Sequence, residues 1–147
     1  MELIDLSSNS LSGGLDNIRN MAKLRVMYLF NNPNLTGPLP PAWATQLTSL
    51  SYLNFANTQA AQPGGQLPDQ WAGLTQLVDL NAFKSGAAGT LPAAWSALHA
   101  MTQLDVSENP GLVGAIPWKW AGAGGMPGLN ALYVYNTGLS CMPPGGE

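Results

Sequence analysis

Apolar and polar positions alternate in six short segments of the chain. Each segment follows the pattern apolar-x-apolar-x-x-Asn, with Thr or Ser in place of Asn in three of them. The segments are IDLSSN (4–9), MYLFNN (27–32), LNFANT (53–58), LNAFKS (80–85), LDVSEN (104–109) and LYVYNT (132–137). Their first residues lie 23, 26, 27, 24 and 28 positions apart. The alternation predicts short strands with one apolar face, and a regular period of this length is typical of a solenoid of stacked coils.

Further columns repeat in step with these strands. An apolar residue precedes each later segment by three positions, and a glycine follows the Asn position, where a bend leaves little room for a side chain. The apolar column is Leu24, Leu50, Leu77, Met101 and Leu129, and the glycine column is Gly13, Gly37, Gly65, Gly89 and Gly114. We expect the Asn side chains to hydrogen-bond the backbone of adjacent coils. That ladder should be weaker where Thr58, Ser85 and Thr137 replace Asn.

Proline and tryptophan recur three positions apart on the other side of each coil. The four pairs are Pro40 with Trp43, Pro68 with Trp71, Pro92 with Trp95 and Pro117 with Trp120. Proline suits the first position of a helical turn, and a residue three positions later lies on the same face. We therefore predict a stacked tryptophan column with an architectural role. The first repeat departs from the pattern, with Asp16 and Arg19 at the proline and tryptophan positions.

The motifs NNPNLTGPLPPAW and SENPGLVGAIPWKW resemble the plant-type leucine-rich repeat, L-x-x-L-x-L-x-x-N-x-L-x-G-x-I-P-x-x-L. Tryptophan at the last position is similar to repeats of green-algal proteins and of trypanosomatid surface antigens. The resemblance implies an α/β solenoid with six short parallel strands on a concave face and 3₁₀ or short helical turns on the convex face. We predict one domain at 1–141, with a truncated first coil, and a flexible tail at 142–147, where two prolines and two glycines end the pattern. Because Leu3, Ile4 and Leu6 lack a preceding coil, we expect the native protein to extend upstream or to pair there.

Composition narrows the classes of partner. Of the 147 residues only 9% are charged, and the net charge is −3 without a run of either sign. This excludes the basic patch that nucleic acids or anionic membranes require. No apolar stretch approaches the roughly 20 residues of a membrane span, and the start of the chain lacks signal-peptide features. The single Cys141 excludes an internal disulfide and is interpreted as a cap residue or an unpaired half-cystine.

Side chains that alternate with the buried positions face outward and form the concave face of the predicted solenoid. They include aromatic, amide and acidic groups that a core does not require. We expect Phe30 and Phe83 to be exposed there as anchors of a recognition surface. The predicted partner-binding residues are Asp5, Tyr28, Phe30, Tyr52, Asn54, Asp79, Asn81, Phe83, Gln103, Asp105, Tyr133 and Tyr135.

Catalysis is not expected from this sequence. Asp79 and Asp105 fall on adjacent predicted strands, but the sequence supplies no apolar pocket to raise the pKa of one carboxyl, as glycoside hydrolysis needs. His99 falls on the convex turn, away from any nucleophile. We predict no catalytic residue, no metal site and no cofactor.

Three classes of function remain. The first, which we favour, is a recognition module that binds a protein or peptide through the concave face, as part of a larger receptor-like or surface protein. The alternatives are a glycan-binding surface protein, with stacking on aromatic side chains, and a structural or adhesive array without an evolved ligand face. The sequence does not fix the compartment, and the resemblance favours an extracellular or cell-surface location.

Overall fold

The computed structural model describes residues 1–141, so the predicted tail at 142–147 lies outside the described residues. Short strands and helical turns alternate along this range. The strands are β1 (Leu3–Asp5), β2 (Ser12–Gly13), β3 (Val26–Tyr28), β4 (Asn32–Thr36), β5 (Tyr52–Asn54), β6 (Thr58–Gln59), β7 (Asp79–Asn81), β8 (Ala88–Gly89), β9 (Gln103–Asp105), β10 (Gly111–Ala115), β11 (Ala131–Tyr133) and β12 (Gly138–Ser140). The helical turns are α1 (Trp43–Gln46) and 3₁₀ helices at Asp69–Gly73, Ala93–Ala97 and Trp118–Trp120.

The principal sheet has six parallel strands in the order β1-β3-β5-β7-β9-β11. Its register aligns the repeats, because Met27 pairs with Leu53, and Leu53 pairs with Leu80. These central side chains are fully buried or nearly so, and the residues on either side of them in each strand face outward. The predicted solenoid, with one strand of this sheet in each coil, is confirmed.

The helical turns carry the tryptophan column on the opposite side of the core. Trp43, Trp71 and Trp95 are fully buried, and Trp120 is 4% exposed. Successive ring centroids lie 5.7, 6.3 and 6.3 Å apart, and each pair of rings is within 8° of parallel. The predicted stack is therefore confirmed.

Each indole also makes a hydrogen bond that the sequence pattern did not predict. The Nε1 atoms of Trp71, Trp95 and Trp120 donate to the carbonyl oxygens of Pro40, Pro68 and Pro92 in the preceding coil, at 2.8, 2.9 and 3.0 Å. In the first coil the acceptor is the carbonyl of Ile18, at 2.7 Å from Trp43 Nε1, and not that of Asp16. A buried indole N–H needs such a partner, so the repeated proline supplies an acceptor as well as a turn.

The proline positions require a small correction. Pro68, Pro92 and Pro117 have extended backbone, with ψ between 114° and 125°, and immediately precede the 3₁₀ helices. They are therefore cap residues that lie one position before the first helical residue, and not the first helical residues that the sequence predicted. The carbonyl of Pro68 accepts the backbone N–H of Trp71 at 3.1 Å, which begins the turn.

Asparagine side chains link neighbouring coils as predicted. Asn109 is buried, and its Nδ2 donates to the carbonyls of Val106 in its own coil and Ala82 in the preceding coil, both at 2.9 Å. Its Oδ1 accepts the backbone N–H groups of Ser85 and Ala87, both at 3.1 Å. The hydroxyl of Ser85 instead donates within its own coil, to Ala82 at 2.8 Å. The ladder is therefore weaker where a hydroxyl replaces the amide.

Each coil also contains a second short strand, which the sequence did not predict. β2, β4 and β6 form one parallel sheet, and β8, β10 and β12 form another. The glycine column runs through or beside these strands, and Gly65 has a left-handed φ of 76°. A side chain at Gly37 would collide with the carbonyl oxygen of Ala60 in the next coil. The expected shortage of side-chain room is therefore present at Gly37 and Gly65. It is absent at Gly13, Gly89 and Gly114, where a Cβ would meet no atom closer than an ordinary van der Waals contact.

Two buried serines provide a test of the polar interior. Ser85 and Ser107 are both fully buried, but the Oγ of Ser107 has no hydrogen-bond partner. We expect Ser85→Ala to lower the free energy of unfolding by about 1 kcal/mol, because the buried carbonyl of Ala82 loses one of its two side-chain donors and keeps only Asn109. Ser107→Ala should raise it by about 1 kcal/mol, because it removes an unpaired buried hydroxyl. Urea titrations of the two variants check this pair, and effects of the same sign would contradict it.

Candidate partner-binding face

The concave face contains a depression of about 330 Å³ over the middle of the principal sheet. Residues of four neighbouring strands and the turn after β3 line it, and all but Leu53 belong to the predicted partner-binding set. The lining consists of Tyr28, Phe30, Tyr52, Leu53, Asn54, Asp79, Asn81 and Gln103. The fold thus brings together aromatic, amide and acidic side chains that are far apart in the sequence. The most distant two, Tyr28 and Gln103, are separated by 75 positions.

The other predicted residues lie outside this depression. Asp5 lies on β1, at the first coil, and Asp105 lies on β9. Tyr133 and Tyr135, in and just after β11, are 44% and 52% exposed. The structure therefore divides the predicted set into a central group and flanking groups on the same sheet face.

Phe30 and Phe83 are half-buried, which corrects the expectation that both are exposed. The ring of Phe30 lies 6.0 Å from that of Tyr28, and the ring of Phe83 lies 6.2 Å from that of Tyr135. Between Phe83 and Tyr135 in the coil order comes Ser107, which is fully buried. Because Ser107 is small, the rings of Phe83 and Tyr135 in the flanking coils can pack over it. Part of the aromatic surface is therefore in contact with other residues of the concave face and is not available to a partner.

Two outward asparagines are held in fixed orientations. Asn54 Oδ1 accepts the backbone N–H of Ala56 at 3.0 Å, and Asn81 Oδ1 accepts that of Phe83 at 3.0 Å. With the oxygens occupied, the Nδ2 groups are the remaining donors of these side chains. Asn54 and Asn81 pair in register on adjacent strands. The face therefore presents amide donors spaced by the distance between strands, about 4.8 Å.

The carboxyl of Asp79 differs from an ordinary surface carboxyl. Burial in the depression raises its pKa above the usual value, and the nearby Asp105 carboxylate raises it further by charge repulsion. No apolar pocket that would raise the pKa of a carboxyl was evident from the sequence, but burial in this depression raises that of Asp79. Sequence reasoning missed it because the walls of the depression come from β3 and β5, more than 20 residues earlier.

Asp5 shows the opposite behaviour at the first coil. The Ser7 hydroxyl donates to Asp5 Oδ1 at 2.6 Å, and the Ser7 backbone N–H donates at 3.0 Å. These hydrogen bonds hold the pKa of Asp5 below its usual value. Asp105 receives the equivalent backbone bond from Ser107, at 2.9 Å.

We expect Asp79→Asn to raise the midpoint of thermal unfolding at pH 7. The pKa of Asp79 is raised in the folded protein, so its contribution to stability is complete below pH 3.8 and is lost as the pH rises through the folded value. The isosteric amide lacks this penalty, and its advantage should disappear at pH 3. Calorimetry between pH 3 and pH 7 measures the difference, with Asp16→Asn as an exposed control. A lower midpoint for Asp79→Asn at pH 7 would contradict the argument.

Other candidate groups do not join this face. His99 is exposed on the convex side, and its Nδ1 lies 2.7 Å from the carbonyl oxygen of Gly125. Cys141 is a free, exposed thiol. Within residues 1–141, no cluster of three or more His, Cys, Asp or Glu side chains has the geometry of a metal site. Over the same range, no helix is long and apolar enough to cross a membrane.

Comparison with known proteins adds a family context. No family model matches the chain. Receptor like protein 21 of Arabidopsis thaliana is 32% identical over 112 residues, which cover 74% of this chain and 11% of that relative. The chain therefore spans only about a tenth of the length of this curated relative.

Solved structures share the fold at lower sequence identity. The ectodomain of the Arabidopsis receptor kinase HAESA, solved in complex with a peptide hormone ligand, has a TM-score of 0.81 at 22% identity, covering 92% of this chain and 22% of that one. The leucine-rich repeat ectodomain of the Arabidopsis thaliana receptor kinase SOBIR1 has a TM-score of 0.79 at 22% identity, covering 93% and 71%. The similarity to algal and trypanosomatid repeats stays a prediction. With its repeated motif, its parallel sheet and these similarities, the chain has the leucine-rich repeat fold.

Proposed function

We propose that this chain is a non-catalytic recognition module that binds a protein or peptide through the concave face. The observation that carries the proposal is the depression over β3, β5, β7 and β9, where seven of the twelve predicted residues meet. A surface that only covers a hydrophobic core does not require aromatic, amide and acidic side chains to line the same depression, whereas a binding site does.

The chemistry of the depression suits an extended polypeptide. Asn54 and Asn81 offer amide donors to carbonyl oxygens of a ligand, and Asp79 offers an acceptor to its N–H groups. Tyr52, which is 41% exposed, provides an aromatic surface beside them. The outward residues of the principal strands include Asp5, Asp79 and Asp105 but neither Lys nor Arg. We therefore expect a neutral or basic segment at the contact.

The relatives favour a receptor-like setting for this module. Receptor like protein 21 is much longer than the chain, so the chain corresponds to a piece of such an architecture. The HAESA ectodomain, of the same fold, carries a peptide hormone ligand in its crystal structure. By analogy we propose that this chain works at the cell surface or outside the cell, within a larger receptor-like protein.

Screening against two ligand classes tests the proposal. The chain is exposed to a displayed peptide library and to a glycan array, and the affinity of each hit is measured again with Phe30→Ala/Tyr52→Ala. We expect peptide hits, with binding weakened at least tenfold in the double variant, because both side chains line the depression. Val113→Ala, an exposed apolar residue on β10, serves as the control and should leave binding unchanged.

The outcomes separate the three classes of function. Peptide hits that bind the double variant as well as they bind the unaltered chain would exclude the concave face. Hits from the glycan array alone would favour the glycan-binding alternative. The absence of hits from both collections would favour a structural array.

A further inference from the structure

The Asp79 carboxyl lies in the depression of the concave face without a hydrogen-bond donor from residues 1–141. The next outward column of the sheet behaves differently, because its side-chain oxygens accept backbone N–H groups two residues later in the chain. These bonds join Asp5 to Ser7, Asn54 to Ala56, Asn81 to Phe83 and Asp105 to Ser107, at 2.9 to 3.0 Å. The oxygens of Asp79 are therefore available to donors of a ligand.

The charge around this carboxyl is unbalanced. Burial raises the pKa of Asp79, and the Asp105 carboxylate on the neighbouring strand raises it further. The five Lys and Arg residues all fall within residues 1–141, and none of them lines the depression. They are Arg19, Lys23, Arg25, Lys84 and Lys119. A positive group of a ligand would therefore relieve the repulsion between the two carboxylates.

Aromatic rings form the other side of the depression. Tyr52 on β5 pairs in register with Asp79 on β7, so the two outward side chains are neighbours at the strand spacing of about 4.8 Å. The rings of Tyr28 and Phe30, 6.0 Å apart, line the same depression. Aromatic faces attract cations, and the attraction is larger where water is partly excluded. The depression therefore combines carboxylate and aromatic groups, which together bind a cation on an apolar stem.

The size of the depression and its small number of carboxylates limit which cation fits. The volume of about 330 Å³ is at the lower end of the range for ligand pockets, roughly 300 to 1,000 Å³, and suits one large side chain. A calcium ion needs about six to eight oxygen ligands. Within residues 1–141, no cluster of three or more His, Cys, Asp or Glu side chains could hold a metal ion. An organic cation is therefore the better match.

Arginine matches the depression better than lysine does. Its guanidinium is planar, so it can stack on the ring of Tyr52 while its edge donates to the Asp79 carboxylate. Gln103 pairs in register with Asp79 from the other neighbouring strand, and its exposed amide oxygen can accept a second N–H. The ammonium of lysine is more strongly hydrated and has no planar face, so it loses more water and gains less contact.

We propose that the depression binds one arginine side chain of the polypeptide ligand. The guanidinium lies against Tyr52, donates to Asp79 and is attracted by the charge of Asp105. Binding thereby removes the charge repulsion that the free protein carries at Asp79. This contact rests on the proposed concave-face function, and it identifies the ligand residue at the centre of that surface.

Matched peptides test the proposal. A synthetic array carries nonapeptides whose central residue is arginine, lysine, citrulline or norleucine, with the same set of flanking sequences in each case. Citrulline keeps the shape of arginine but has no charge. We expect the complete 147-residue protein to bind the best arginine peptides at least tenfold more tightly than their citrulline counterparts, as for a charge-assisted hydrogen bond. Lysine peptides should fall between the two.

Two variants with the same change of net charge locate the contact. Asp79→Asn should remove most of the preference for arginine over citrulline, whereas Asp16→Asn, at an exposed position of the first coil, should leave it unchanged. Asp79→Asn is the variant that we expect to be more stable at pH 7, so weaker binding cannot result from unfolding. A general attraction of basic peptides to a chain of net charge −3 would respond equally to both substitutions.

The outcomes separate this contact from the proposed function. Suppose that Phe30→Ala/Tyr52→Ala weakens binding but arginine and citrulline peptides bind equally; the arginine contact is then wrong and the concave-face function stands. An arginine preference that Asp79→Asn and Asp16→Asn reduce equally, or a preference for lysine over arginine, would also overturn the contact. If no peptide of the array shows binding that depends on Phe30 and Tyr52, both proposals fail.

Discussion

Trp71→Ala will lower the free energy of unfolding by about 3 to 5 kcal/mol, the range for truncating a buried aromatic side chain. Trp71 is fully buried, is stacked on both faces, and makes an edge contact with Phe55 at 6.2 Å. Its removal leaves a cavity, and the Pro40 carbonyl loses the indole donor. The loss affects two coil interfaces at once.

Trp118→Ala provides the matched control, because it removes the same side chain from a position that is 70% exposed. We expect a change within about 0.5 kcal/mol, as for other exposed positions. Guanidinium unfolding followed by circular dichroism measures both variants. Similar losses for Trp71 and Trp118 would show that the column does not carry the stability assigned to it.

Asn109→Ala will have the second largest effect, a loss of about 3 kcal/mol, since a buried amide with several hydrogen bonds is removed. The substitution leaves the carbonyls of Ala82 and Val106 without this donor, and the N–H groups of Ser85 and Ala87 without this acceptor. Each of these groups lies in the interior, where water does not replace the lost partner.

A more conservative substitution separates the contribution of the hydrogen bonds within the coil of Asn109 from that of the bonds to the preceding coil. Asn109→Ser should lose only about half as much stability, because a hydroxyl there can donate within its own coil as Ser85 does. Asn130→Ala, an exposed position, is the control and should change stability by less than about 0.5 kcal/mol. Equal losses for Asn109→Ala and Asn109→Ser would contradict the role assigned to the bonds between coils. Urea unfolding of the three variants measures the loss of stability of each one.

Periodic features of the molecule followed from the sequence, because each coil repeats the same physical requirement. The alternation around Met27 and Leu29 predicted a strand with one buried face, and the recurrence of Trp71 and Trp95 predicted a stack. The strand pattern occurs six times and the tryptophan four times, and a position that recurs in this way indicates its environment more reliably than a single residue does.

Features that depend on contacts between particular coils could not be predicted from the sequence. The burial of Ser107 depends on Phe83 and Tyr135 in the flanking coils, and the raised pKa of Asp79 depends on walls from β3 and β5. The second strands were also missed, because segments as short as Ser12–Gly13 contain no alternation to recognise. For the candidate site, the sequence predicted which residues face outward but not which of them converge.

The direction of the side-chain bonds between coils bears on how the protein forms during synthesis. Asn32 donates to the carbonyl of Leu6 at 3.0 Å, and the indole of Trp95 donates to that of Pro68, so both reach toward the part of the chain that is made first. A ribosome releases the amino-terminal coils before the later ones. Each new coil therefore emerges next to a completed template that already displays its acceptors, and the solenoid can grow in the order of translation.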